Sequence, residues 1–250
     1  MNPTVLDTRP AAEWCRCLGL GLLIMLGATA ARAQSSCSSD GQPAPRALLE
    51  RFITADCATC WAGPSAAPSK GQLAIDWIVP GTLGDDAPLA AAASRDALDR
   101  LVALGQAAPA TTFNALHPVK PLTRGAGTPA PSLRVARGLA LNAYMGVSIE
   151  MTLPRAPVSS SGPLRVWLLL AEEVPAGTEG SPVTRLLVRN ALVQSWPAAT
   201  AKGPRRWFES RPMSLPPGTN PDRLRAVGWV ENAQMQGVAL AVSHCEYQKE

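Results

Sequence analysis

Residues 47–60 read Ala-Leu-Leu-Glu-Arg-Phe-Ile-Thr-Ala-Asp-Cys-Ala-Thr-Cys, a largely apolar run ending in two cysteines three positions apart. The run Ala47 to Thr54 predicts a first strand, and Cys57 and Cys60 fall at the turn that leaves it. That spacing closes a small reducible disulfide, and a helix starting behind Cys57 would stabilise its thiolate. In an exchange reaction Cys57 is the attacking thiol and Cys60 resolves the mixed disulfide. Ala58 and Thr59 add no charge, and Asp56 would raise the Cys57 thiol by like-charge repulsion. The alternative is an inert structural disulfide, and both readings stand at this point.

Working outward, the first 33 residues read as a secretory signal. Arg9 and Arg16 precede the apolar core Leu18–Ala30, and Ala31-Arg32-Ala33 fits a small-x-small cleavage site before Gln34. The apolar stretch is short for a membrane span, and no later one approaches about 20 residues, so no span is expected after cleavage. Removing 33 of 250 residues leaves 217, and the net charge falls from +4 to +3 because three Arg and two acidic residues leave with the signal. So small an excess, with only Arg205-Arg206 adjacent near Lys202, predicts no nucleic-acid partner. The expected location is periplasmic or secreted.

Of six cysteines, Cys15 and Cys17 leave with the signal and four remain. Four allow three pairings, of which the simplest is Cys57–Cys60 with Cys37–Cys245 as a structural staple between the mature ends. A metal would need a further pair or convergent histidines. His117, between Leu116 and Pro118, reads as a loop residue, and His244 beside Cys245 as a tail residue. No metal and no cofactor is predicted. No Gly-x-Ser-x-Gly elbow, phosphate loop or dinucleotide fingerprint occurs.

Residues 34–46 form a polar leader. Pro64 and Pro68 stop any helix beyond Cys60 early. Leu73–Val79 predicts a buried second strand in which Asp76 is the interruption. Asp76 reads either as a buried proton acceptor for Cys60 or as a cap on the turn into Pro80. Ala90–Ala107 predicts a helix, with Leu98, Leu101, Val102 and Leu104 on one face and Arg95, Asp96, Asp99 and Arg100 on the rest. A Pro-initiated strand covers 130–135. Beyond about Leu139 the chain predicts only strands: 143–151, 164–171, 184–196, and a hairpin of 224–230 with 237–244. The seam between the two characters lies between Gly125 and Ala143.

The strand, Cys-x-x-Cys turn, helix and Pro-initiated strand, in that order, resemble the thioredoxin-like superfamily. More narrowly they are similar to a bacterial family of secreted thioredoxin-like proteins of unknown function, whose members carry a Leu-Phe-Thr-Ser-x-x-Cys-x-x-Cys segment. Leu49 to Cys60 approximates that segment, and Ala74-Ile75-Asp76-Trp77 stands at the family's second strand. Trp61 replaces the family's usual proline. The resemblance implies an α/β thioredoxin-like domain over 47–140, followed by a β-rich, sandwich-like module over 141–250. It also implies a cis-proline pressed against the cysteine pair, either Pro131 or Pro129. Trp61 and Trp77 read either as lining a substrate groove or as packing. The implied activity is thiol–disulfide exchange on secreted or envelope protein thiols. The rival class is a non-catalytic envelope binding or scaffold protein.

Overall fold

Two β-sheets carry the structure. The computed structural model describes residues 37–65, 67–120, 122, 130–154, 160, 162–200 and 202–245. The signal and its cleavage site therefore lie outside the described residues, as does Pro129. Strand β1 (Cys37–Ser38) is followed by β2 (Ala47–Thr54), helix α1 (Ala58–Ala62), β3 (Gln72–Val79), helix α2 (Arg95–Ala103) and β4 (Thr112–Pro118). Then come β5 (Ser132–Leu141), β6 (Tyr144–Thr152), β7 (Leu164–Val174), β8 (Arg185–Trp196), β9 (Arg206–Ser214), β10 (Leu224–Glu231), β11 (Gly237–Val242) and β12 (His244–Cys245).

The larger sheet has seven strands in the order β11-β10-β7-β8-β3-β2-β4, and the smaller has five in the order β12-β1-β5-β6-β9. Among the described strand pairs only β2–β3 and β3–β8 are parallel, the second through the single pair Asp76–Leu187. The sheets pack face to face. Met145, Val147, Ile149 and Met151 alternate inward from β6, as their period of two requires. They meet Leu164, Val166, Leu168 and Leu170 of β7. The opposite side chains of the larger sheet, among them Phe52, Trp77, Trp167 and Trp229, form a second core with Leu101 of α2. β7 is thus buried on both faces, which is why its sequence is a continuous apolar run.

This overturns the α/β thioredoxin-like domain expected over 47–140. The architecture is β-rich and sandwich-like, and residues on both sides of position 140 build one sheet. Gly63 caps α1 and Pro64 follows, so the helix stops after five residues. The Pro-initiated strand, with its alternating Leu133 and Val135, leaves for the smaller sheet. Beyond β3 the same sheet continues through β8, β7, β10 and β11. Positions 140 and 141 lie inside the β5–β6 hairpin, which turns at Asn142 and Ala143 with φ of 49° and 60°. All described residues belong to one compact unit. Among them, no helix is long and apolar enough to cross a membrane.

The predicted 90–107 helix shortens to nine residues. Ser94 Oγ caps it by accepting the Ala97 N–H at 3.2 Å, and Gly105 ends it at φ 68°. Arg100, expected away from the apolar face, is fully buried, whereas Val102, expected on that face, is 75 % exposed. Where the two sheets approach, Gly228 is required. A Cβ added there would stand 2.6 Å from Ile149 Cδ1 and 2.7 Å from Val135 Cγ1. Gly228→Ala is expected to cost about 1–3 kcal/mol of stability by overpacking. An unchanged urea midpoint would show that the sheets can part there without cost.

Candidate functional site

β2 delivers Cys57 and Cys60 to the edge of a polar cleft. Phe52 and Ile53 anchor the strand in opposite cores, and the Cys57 N–H donates to Thr54 O at 3.1 Å, turning the chain out of the sheet. Cys57 and Cys60 are disulfide-bonded and both half-buried, with Ala58 and Thr59 exposed between them. Cys57 Sγ accepts the Cys60 N–H at 3.2 Å, and Thr59 Oγ1 lies 3.5 Å from the same sulfur. The other pair, Cys37–Cys245, joins residues directly opposite in β1 and β12, and Cys37 is buried. Both disulfides are those expected from the cysteine arithmetic.

α1 has five residues, so little helix stands behind Cys57 to stabilise a thiolate. What holds this element is an arginine from the far half of the chain. Arg185 Nη2 donates to Trp61 O at 2.8 Å and to Gly63 O at 3.3 Å, occupying carbonyls at the helix end. Its guanidinium lies 4.6 Å from the centre of the Trp61 ring, and its Nε donates to Ser181 Oγ at 2.8 Å. Nη1 reaches Asp76 Oδ1 at 3.1 Å, while Arg51 Nη2 binds Asp76 Oδ2 at 2.6 Å. Arg51 also donates to Ser65 Oγ. Burial pushes the Asp76 carboxyl above its ordinary range, against the pull of Arg51 and Arg185.

Asp76 is therefore neither the turn cap nor a free proton acceptor. Both its oxygens accept from guanidiniums, and it ties β2, β3 and β8 together beneath α1. Cys60, Arg51, Arg185, Ser65, Thr112 and Asn114 line one cleft of about 160 Å³. Asp56 turns away from the cysteines. Its carboxylate accepts from Thr82 N at 2.7 Å, Thr82 Oγ1 at 2.9 Å and Leu83 N at 3.2 Å. These bonds outweigh desolvation and lower its pKa.

Pro131 does not face the cysteine pair. It leads into β5 of the smaller sheet, and no cis peptide bond occurs among the described residues. Strand alternation at Leu133 and Val135 carries that segment to the sandwich instead. Trp61 is buried, packed among Ile53, Ile78 and Leu187, and its Nε1 donates to Glu179 O at 2.7 Å. It is a packing anchor for α1, and with Ile78, Leu89 and Leu187 it lines a small pocket of about 70 Å³. His117 lies on β4 with Nε2 3.0 Å from Glu50 Oε2, on the face opposite the cysteines, and His244 lies on β12. Among the described residues no group of three or more His, Cys, Asp or Glu is placed to hold a metal ion.

Sequence reasoning missed Arg51 and Arg185. The signal for one was present: Glu50 and Arg51 sit inside an apolar strand, and a charge in a strand covered on both faces needs a partner. Nothing local marks Arg185 as the second partner of Asp76, since it lies 109 positions away.

No protein-family model matches this chain, and no curated protein is found similar to it. Among solved structures, HBP35 of Porphyromonas gingivalis is similar with a TM-score of 0.42 and 10% identity, covering 84% of this chain and 78% of that one. At that level the likeness carries no inference, and the site rests on its own geometry.

Proposed function

We propose that the protein exchanges thiols and disulfides with secreted or envelope proteins through Cys57 and Cys60, in the periplasm or outside the cell. The observation that carries this reading is the contrast between the two disulfides: one locked between strands, the other half-exposed at a cleft beside two guanidiniums. A partner thiolate attacks Cys57 Sγ, the Cys57–Cys60 bond breaks, and Cys60 leaves as a thiolate. A second partner thiolate then attacks the partner's own sulfur in the mixed disulfide and expels Cys57 as a thiolate. The partner becomes oxidised, the pair becomes reduced, and no cofactor enters the balance. Arg51 and Arg185 place positive charge around the departing Cys60 thiolate. Two disulfides suit an oxidising compartment.

The test is insulin reduction together with the Cys57–Cys60 reduction potential. The expected potential lies between about −270 and −120 mV, the range of exchange proteins. Cys57→Ser is expected to reduce activity to the uncatalysed rate. A potential well below about −300 mV, or full activity in Cys57→Ser, would overturn the reading. The pair would then be a structural bond clamped by Arg185 in a binding or scaffold protein.

A further inference from the structure

Gly138 to Ile149 contains no charged residue, and neither does Pro212 to Pro221. The fold brings these two uncharged stretches together at one end of the smaller sheet. Tyr144 pairs with Ser214 and Met145 with Met213, and the Leu215 N–H donates to Ala143 O at 2.8 Å. Asn190 fastens the same end by donating from Nδ2 to Ser214 O at 2.8 Å.

The tip of the β5–β6 hairpin is bare on both faces. A sheet covered on one side buries every second side chain, and Met145, Val147 and Ile149 follow that rule. From Leu139 to Tyr144 every residue is exposed instead. Leu139 is 76 %, Leu141 73 % and Tyr144 54 % accessible. An exposed apolar run such as Leu139-Ala140-Leu141 is a liability in water unless it docks on something. β1 pairs with β5 only at residues 136 and 137, so among the described residues no strand covers the outer edge of the tip. The charges that border it are engaged. Arg137 is buried, with Nε donating to Leu224 O at 3.0 Å, and Arg211 lies 2.9 Å from Glu209.

We propose that this hairpin tip inserts into the interfacial layer of a lipid bilayer. A flat protein surface would cover one face of the tip, whereas a fluid layer surrounds both. The unbroken lack of charge across both stretches suits that medium, which offers no ion-pairing partner. From Gly138 to Leu141 the strand rises about 10 Å, and interfacial elements bury their apolar face about 5–10 Å deep. Leu139 and Leu141 supply the apolar contact, and Tyr144 is a residue type that settles at the membrane–water boundary. The open outer edge of β5 keeps the tip in the hydrated interface, because the hydrocarbon core would leave its backbone groups unsatisfied. The inference goes beyond thiol exchange and does not depend on it, since the tip and the Cys57–Cys60 turn belong to different sheets.

The experiment is flotation with phosphatidylcholine vesicles. It uses the chain from Gln34 onward, which holds every described residue and omits the apolar run 18–30 that would itself enter lipid. Co-flotation is expected to rise with lipid concentration and to change little as salt is raised from about 0.1 to 0.5 M, because no charge carries it. Leu139→Ser with Leu141→Ser should weaken binding at least about tenfold while leaving the urea midpoint unchanged. Leu141→Trp should strengthen it. Phe208→Ser, exposed on the same sheet but away from the tip, should float as the wild type does, and so should Cys57→Ser even if it has lost exchange activity. The proposal is overturned if no protein floats at millimolar lipid, or if the double serine variant floats equally. Binding that requires an anionic lipid and vanishes in salt would also end it. A dimer that the serine pair dissolves, without vesicle binding, would make the tip a protein contact instead.

Discussion

Arg100→Leu is expected to cost about 3–5 kcal/mol of folding stability, because it strands two carboxylates in the interior. Arg100 Nη2 lies 2.6 Å from Glu50 Oε2 and 2.7 Å from Glu231 Oε1, and all three side chains are essentially inaccessible to solvent. The indole N–H groups of Trp77, Trp167 and Trp229 donate to the same two carboxylates at 2.9–3.2 Å. The guanidinium is 4.7 Å from the Trp167 ring centre and 5.2 Å from that of Trp229. Urea unfolding followed by tryptophan fluorescence measures the loss. A cost below about 1 kcal/mol would show that water reaches Glu50 and Glu231 once the arginine is gone. Adding Glu50→Gln and Glu231→Gln to Arg100→Leu should recover part of the loss, since a neutral cluster has less to compensate.

The same cluster sets the acid limb of stability. Burial raises the Glu50 carboxyl, but the contacts with His117 and Arg100 outweigh it, and the net shift is downward from 4.5. A lowered carboxyl releases its proton more readily in the fold than in the unfolded chain. Its stabilisation is therefore present above the unfolded value and lost as pH falls through the folded one. Acid unfolding should begin at higher pH in Arg100→Leu than in the wild type. An unchanged acid midpoint would remove Glu50 from the account.

The second large effect belongs to Cys37–Cys245. This bond spans 208 positions, and on the loop-entropy account a closure of that length contributes about 5 kcal/mol. Cys37→Ala with Cys245→Ala should lose most of that, because β1 and β12 are two-residue strands with little pairing of their own. The Cys57–Cys60 bond closes only a four-residue turn and contributes about 2 kcal/mol on the same account. Reductant titration with thiol trapping should therefore open Cys57–Cys60 without unfolding the protein, and unfold it only when the staple follows. Equal destabilisation by the two double alanine variants would contradict the loop-length argument.

Much of the element order was legible. Apolar runs bounded by Gly and Pro marked β2, β3, β7, β8, β10 and β11, and alternation marked β6. β4 and β9 were hidden, because Thr112–Pro118 and Arg206–Ser214 are half-exposed edge strands with little apolar contrast. The fold class was misread for a topological reason. A strand, a Cys-x-x-Cys turn and a second strand look alike whether the sheet is completed by the next segment or by one far away. Counting left three cysteine pairings open, and the simplest of them is the one observed. The arginine scaffold beneath the Cys57–Cys60 bond was not legible, since it depends on which distant strand lies beside β3.

The placement of β3 has a consequence for biogenesis. One of its two neighbours, β8, is made from the last third of the chain, so a nascent polypeptide that has only reached β6 holds an unfinished larger sheet with one flank of β3 bare. Vectorial folding from the leading end is closed to it. Emergence across a membrane would have to deliver the later strands before the cysteine turn acquires its arginine support.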